Sequence, residues 1–242
     1  MFFLNKKNSL LMFAIFSLFI LGQRVAKAGR LSPTIYYVKT MDLDKSCNQG
    51  KKSIYNNQGK LIAKVCADQY KACLIEGTCA LYRGQKNEPM EIFEIAANPY
   101  KIINYVQTKN GVPLFLEVDQ EVCPWGLGVS QACLDPYYTI AADMRYHKAG
   151  EVIYVDKIKG LKLPNGEIHS GFLIIRDRGG AIKGPDRFDF FTGFYSDRHI
   201  ENPFTPLGLA GSNNRFEYRK ATPKESEYFR QERQYPKVPT QH

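Results

Sequence analysis

The sequence predicts a mainly β protein, a barrel or a sandwich, braced by disulfides. Three observations carry this. Short runs of β-branched and aromatic residues recur along the chain between Gly, Pro and Asn turns. Helix signals are confined to two short stretches, and no internal repeat or low-complexity tract is present. Six cysteines, an even number, follow a segment that reads as a secretory leader.

The elements follow in order. Thr34-Ile-Tyr-Tyr-Val38 is β-branched and aromatic and reads as a strand. The span 42–60 is polar and turn-rich, with Asn56-Asn57-Gln-Gly59 its clearest loop. Between Ala67 and Glu76, Tyr70, Cys73 and Leu74 keep helical spacing, and Gly77 is a natural stop. Strands are expected over 91–97 and 102–106, separated at Asn98-Pro99, and over 113–118, where apolar and polar residues alternate. Cys123 to Cys133 is a tight loop holding Trp125, the only Trp in the chain. Further strands are expected over 151–158, 171–176 and 187–191. Thr222-Pro-Lys-Glu225 is a capping box with Pro at the first helical position, opening a helix of about ten residues. Short loops favour the pairs Cys123–Cys133 and Cys73–Cys79, leaving Cys47–Cys66; Cys66 with Cys73 is the competing pair.

Residues 1–28 stand apart. Lys6 and Lys7 precede the apolar run from Leu10 to Gly22, and Ala26-Lys-Ala28 has the small-x-small pattern of a cleavage site. The run is short for a membrane-spanning helix, and no later segment is long or apolar enough to be one. Removing 28 of the 242 residues leaves 214, enough for one well-buried domain with elaborations. The leader takes four cations with it, so the net charge falls from +9 to +5. That excess is mild and dispersed, with no basic run interleaved with aromatics, so nucleic acid is not the expected partner. Neither the cysteines nor the histidines show metal-ligand spacing, and no P-loop or Gly-x-Ser-x-Gly pattern occurs. No metal or cofactor is expected.

The residues that point to chemistry are carboxylates in unusual company. Asp177 ends an apolar strand and enters Gly179-Gly180, a pair able to take positive φ or let a ligand approach closely. Asp189 lies in Arg187-Phe-Asp-Phe-Phe191, where alternation turns Phe188 and Phe190 to the core and leaves Asp189 on the face of Arg187 and Phe191. Apolar cover and a nearby carboxylate would raise its pKa, as a general acid needs; Arg187 would lower it and make Asp189 a surface ion-pair partner instead. Asp143 is a third acid at a strand end. Lys183 could steer an anionic or acetamido group, and Trp125 could stack on a sugar face or simply pack.

The run Asp177-Arg-Gly-Gly-Ala-Ile-Lys-Gly…Asp189-Phe-Phe-Thr-Gly193, with Ile140-Ala-Ala-Asp143 upstream, resembles the signature of the three-aspartate (3D) domain. That domain is shared by the membrane-bound lytic murein transglycosylase A family and by small bacterial wall-lytic proteins. The resemblance covers residues 136–193 and implies a six-stranded double-psi β-barrel with loop and short-helix elaborations. It departs from the family pattern at Arg178 and in the turn after Asp143, and a second domain like that of the larger transglycosylases is not evident. The organisation it implies is a leader over 1–28, a barrel with an N-terminal elaboration over 29–211, and a polar tail with a short helix over 212–242.

The resemblance further implies a lytic transglycosylase that cleaves the MurNAc–GlcNAc β-1,4 bond of peptidoglycan and leaves a 1,6-anhydro-MurNAc end. Asp189 matches the family's single acid and base, with Asp177 and Asp143 as its partners. Lys183, Gly179, Gly180 and Trp125 are the candidate substrate contacts. The expected setting is a monomer on glycan strands, periplasmic or secreted, with no membrane segment after leader removal. Two other readings fit the same residues: a hydrolase using two aspartates, and an expansin-like module that binds wall without cutting it.

Overall fold

The computed structural model describes residues 28–83 and 101–239. The leader up to residue 27 and the strand expected over 91–97 lie outside the described residues. Among those described, no helix is long and apolar enough to cross a membrane.

The described chain forms two sheets. In order, its elements are β1 (Ala28–Tyr36), β2 (Lys39–Asp42), β3 (Lys51–Asn56), β4 (Leu61–Cys66), α1 (Ala67–Glu76), β5 (Thr78–Tyr82), β6 (Lys101–Lys109), β7 (Val112–Glu117), β8 (Thr139–Ala142), β9 (Val152–Tyr154), β10 (Phe172–Asp177), β11 (Arg187–Phe191), β12 (Phe216–Lys220) and α2 (Pro223–Glu232). Six strands close on themselves in the order β1-β11-β8-β10-β9-β12. The other six form a sheet in the order β2-β5-β6-β7-β3-β4. All six of these lie in sequence between β1 and β8, so the second sheet is an insertion after the first barrel strand.

Alternation in the barrel strands builds two apolar clusters. Phe188, Phe190, Ile140, Ala142, Ile175 and Leu31 point inward and fill the barrel. Phe191, Ala141, Tyr36 and Val38 point outward and pack with Ala80 and Ile102 of the second sheet and with Leu127 and Leu134. Phe188 and Phe190 are therefore core, as the strand pattern predicts, while Phe191 seals the contact between the sheets. Within the second sheet, Met41, Ile54, Val65, Leu81, Ile103 and Phe115 form a third cluster with Cys73 and Cys79. Disulfides join Cys47–Cys66, Cys73–Cys79 and Cys123–Cys133.

Several sequence expectations meet their elements closely. Helix α1 spans the ten residues read from spacing and ends at Gly77, which has φ 81°. Helix α2 spans ten residues behind its Thr222–Glu225 capping box. Others are corrected. The strand expected over 151–158 stops at Tyr154, after which one 3₁₀ turn covers Asp156–Ile158 and the Tyr154 hydroxyl bonds Asp156. The span 42–60 is not all loop, because β3 pairs antiparallel with β4 across the Asn56–Lys60 turn. Residues 212–242 are not simply a tail: β12 pairs with β1 and β9 and closes the barrel. Its charged residues are accommodated at the surface, with Arg219 lying over the Tyr154 ring and bound by both carboxylate oxygens of Glu225.

Candidate active site

The site follows from strand register. Strand β8 lies between β10 and β11, and its Ala141 is the register partner of Asp177 on one side and Asp189 on the other. On the far side of β11, Asp189 pairs with Thr34 of β1. Asp177, Ala141, Asp189 and Thr34 thus form a row across four neighbouring strands, on the outer face of the barrel. Ala141, the residue between the two aspartates in this row, has a small side chain. Tyr36, two residues beyond Thr34 and so on the same face, donates its hydroxyl to Asp177 Oδ2 at 3.1 Å.

A bulge puts Asp177 in that row. Ile175 pairs with Ile140 and Asp177 with Ala141, which leaves Arg176 as an extra residue. Without the bulge, Asp177 would share the inward face of Ile175. Arg176 turns its guanidinium into the protein, donating to the carbonyls of Cys133 at 2.9 Å and Arg233 at 3.0 Å. A cavity of about 320 Å³ beside it is lined by Trp125, Leu134, Asp135, Arg176 and Arg233 among others.

The electrostatics separate the three aspartates. Burial pushes Asp177 up to about 6, and the charge of Asp189 adds to the push; the Arg178 N–H bond to Oδ1 and the Tyr36 hydroxyl bond oppose it. Burial also raises Asp189, opposed by the Thr34 hydroxyl and the charge of Arg187. The Arg187 guanidinium is engaged elsewhere, donating to the carbonyls of Ser32 and Phe188 and to Thr34 Oγ1 at 2.7 Å. The buried Oδ1 of Asp189 has no hydrogen-bond partner. A buried carboxyl oxygen without a partner favours the protonated, donating form of its group.

Asp143 stands in a different setting. Arg145 grips both of its oxygens and the Gly184 N–H donates to Oδ2 at 2.9 Å. These bonds hold its carboxyl well below the usual carboxylate range, Arg145 contributing most. Its geometry is that of a clamp on the glycine-rich loop. His147 adds a second clamp through Nε2 to the Pro185 carbonyl at 2.7 Å, and Tyr218 a third through its hydroxyl to Asp186 at 2.6 Å.

The remaining sequence candidates divide. Lys183 and Gly180 are exposed on the loop. A Cβ added at Gly180 would meet nothing within 4 Å, whereas one at Gly179 would run into the Ile182 side chain at 2.4 Å. Neither glycine takes positive φ, although the Ile182 N–H closes a turn on the Gly179 carbonyl; Gly184 (φ 96°) later in the loop and Gly193 (φ 66°) beyond β11 do. Trp125 is half-buried, packs its ring 5.2 Å from that of Phe194, and lies against Gly193. The structure therefore brings Asp177 and Asp189 together, sets Asp143 at the loop behind them, and leaves Trp125 partly in packing.

Sequence reasoning did not reach Tyr36, Ala141 or Glu76. The first two join the site through register alone. Glu76 ends α1 on the second sheet, where its Oε2 accepts the Tyr37 N–H at 3.5 Å. Burial raises its carboxyl to about 7, and the charge of Asp189 contributes. One signal was available: a Glu in the last turn, with no basic residue to offset it, opposes the helix dipole.

Residues 138–201 match the 3D domain, a span that holds Asp143, Asp177, Asp189 and the clamped loop. No curated protein matches the sequence. Among solved structures, E. coli MltA with bound chitohexaose is similar at 13% identity and a TM-score of 0.50, over 80% of this chain and 72% of that one. The membrane-bound lytic murein transglycosylase of Agrobacterium tumefaciens is similar at 15% identity and a TM-score of 0.50, over 85% of this chain and 78% of that one. Both likenesses extend well past the matched domain, into the inserted sheet. The chain thus matches the 3D domain over residues 138–201 and shares its overall fold with these lytic murein transglycosylase structures.

Proposed function

We propose that this protein is a peptidoglycan lytic transglycosylase that works outside the cytoplasm on a double-psi barrel, with Asp189 as its single acid and base. The observation that carries the reading is the unpartnered, buried Oδ1 of Asp189 at the centre of the row Asp177–Ala141–Asp189–Thr34. The 3D domain match and the shared fold support it. Three disulfides support an oxidising compartment, periplasmic or secreted, and so a leader over residues 1–28 that is removed.

The chemistry needs one carboxyl group used twice. Protonated Asp189 gives its proton to the oxygen bridging MurNAc and GlcNAc as the C1–O bond breaks. The resulting carboxylate then takes the proton from the C6 hydroxyl of the same muramoyl sugar, whose oxygen closes on C1 to form the 1,6-anhydro ring. Because the nucleophile belongs to the sugar itself, no positioned water is required. Asp177, held by Tyr36 and the Arg178 N–H, shares the row with Asp189, and their like charges disfavour ionising both at once. Asp143 fixes the loop that carries Gly179, Gly180 and Lys183, which with Trp125 contact the glycan. The protein acts as a monomer on glycan strands.

Digestion of purified sacculi, followed by mass spectrometry of the released fragments, tests this. Anhydro-muropeptides are expected from the wild type, and Asp189→Asn should release them roughly 10²–10⁴-fold more slowly. Reducing ends would mean hydrolysis, and no release from the folded wild-type protein would mean a binding module. Full activity in Asp189→Asn would overturn the assignment of the acid.

A further inference from the structure

The glycine-rich loop between β10 and β11 is held by Asp143, Tyr218 and His147, and these do not respond to pH alike. Asp143 accepts the Gly184 N–H, and Arg145 keeps its carboxyl well below the usual range. The Tyr218 hydroxyl bonds Asp186, and burial together with that bond pushes its ionisation far up. Both therefore keep one protonation state around neutral pH. His147 differs, because imidazole is the side chain whose charge changes there.

His147 is buried, and both of its ring nitrogens meet acceptors. Nε2 lies 2.7 Å from the Pro185 carbonyl oxygen, and Nδ1 lies 3.1 Å from Glu151 Oε1. A carbonyl oxygen can only accept. So can Glu151, which is ionised: burial raises its carboxyl, but the bonds from His147 and Lys220 outweigh that and bring it down to about 2. Neutral imidazole has one N–H, so the two bonds exist together only in the imidazolium. That ion bridges the loop and the barrel. Pro185 stands just before β11, at the closing end of the loop. Glu151 is fixed to the strand of Asp177, because the Ile175 N–H donates to its carbonyl at 2.9 Å, and Lys220 of β12 bonds the same Oε1 at 2.8 Å. The ring itself packs 5.0 Å from that of Phe188, the residue before Asp189.

The groups around His147 set its charge. Burial works against the charge, the bonds to Glu151 and Pro185 favour it, Lys220 opposes it, and the balance lies above the usual imidazole value of about 6.5. Asp186 follows Pro185 and is engaged by Tyr218. A group raised on folding gives its stabilisation at lower pH and loses it as pH rises through the folded value. We propose that His147 is a positioning residue that holds the closing end of the glycine-rich loop only while its ring carries both protons, and releases it as the medium turns alkaline. This rests on the reading in which that loop contacts the glycan. Loss of either ring proton breaks one of the two bonds, and with it the bridge between Pro185 and the barrel.

The test uses the full protein without its leader. In the wild type, the His147 ring nitrogens and the amides of Ile182 and Gly184 are followed by ¹⁵N NMR from about pH 5 to 9. Both ring nitrogens should carry protons at the acid end, and the loop amides should shift with the same midpoint as the ring. In Glu151→Gln both midpoints should fall together by about one pH unit, because the carboxylate that favours the charge is gone. In His147→Gln, which has no proton to lose, the amides should show no such step. Anhydro-muropeptide release should drop roughly tenfold across the wild-type step, and the drop should move with the ring midpoint in Glu151→Gln. A ring with a single proton at the acid end would overturn the proposal, as would loop amides that do not follow the ring. So would an activity drop that stays in place while the Glu151→Gln midpoint moves. The wild-type titration decides the point even where a variant does not fold. If the wild type releases no anhydro-muropeptides at any pH, the transglycosylase reading fails, while the NMR titration still decides whether His147 governs the loop.

Discussion

Asp177 carries a cost that pH can remove. Its carboxyl is raised to about 6 in the folded chain, chiefly by burial, above its value in an unfolded one. A carboxyl with a raised folded pKa favours folding in its protonated form, so its contribution is fully present below about pH 4 and is lost as pH rises through about 6. Asp177→Asn should therefore be more stable than wild type at pH 8, by on the order of 2 kcal/mol after allowing for partial exposure, with the gap closing below pH 4. Urea unfolding at the two pH values reads this directly; equal stability at pH 8 would show that the carboxylate is not held at a cost. Asp177 and Asp189 were legible in the sequence because their neighbours were wrong for carboxylates: a strand end entering glycines, and three phenylalanines. Tyr36 and Ala141 were not legible. Alanine and tyrosine are ordinary strand residues, and only the register Asp177–Ala141–Asp189 and the bulge at Arg176 give them roles.

At the scale of elements, the Cys123–Cys133 loop is the piece that locks the bulge in place. Arg176 bonds the Cys133 carbonyl, and Gly128 approaches so closely that a Cβ there would fall 2.2 Å from the Arg176 carbonyl oxygen. Backbone cannot yield as a side-chain tip can. Gly128→Ala should therefore cost about 2–4 kcal/mol in thermal or denaturant unfolding, while Gly180→Ala, with open space around it, should stay within about 0.5 kcal/mol. A Gly128→Ala variant as stable as wild type would show that the loop is free to lift away from β10. Elements with strong local punctuation could be read from sequence: α1 with its glycine stop, α2 with its capping box, β11 with its alternating phenylalanines. Strands β3 and β12 could not. Lys51-Lys-Ser-Ile and Phe-Glu-Tyr-Arg-Lys220 carry too much charge to signal a strand, and their places are fixed by partners elsewhere in the chain.

Across the whole molecule, closure depends on strands from the two ends of the described chain. Ala28–Leu31 of β1 pairs antiparallel with Phe216–Arg219 of β12, and Phe229 of α2 is buried in the barrel cluster. A chain ending at residue 211 would lack β12, the Tyr218 hydroxyl bond to Asp186 and the Phe229 side chain. Such a chain should show no cooperative thermal transition by near-UV circular dichroism, and a normal melt would mean that the barrel tolerates an open seam. The same pairing separates the order of synthesis from the order of folding. The inserted sheet, from Lys39 to Glu117, is contiguous and holds two of the three disulfides, so it can assemble as soon as its own residues are available. The barrel must wait, with β1 unpaired, until β11 and β12 have been made. A ribosome or a translocation channel therefore handles this protein with its acid row not yet assembled, because Thr34, Ala141, Asp177 and Asp189 share a surface only after β11 and β12 have emerged and the seam has formed.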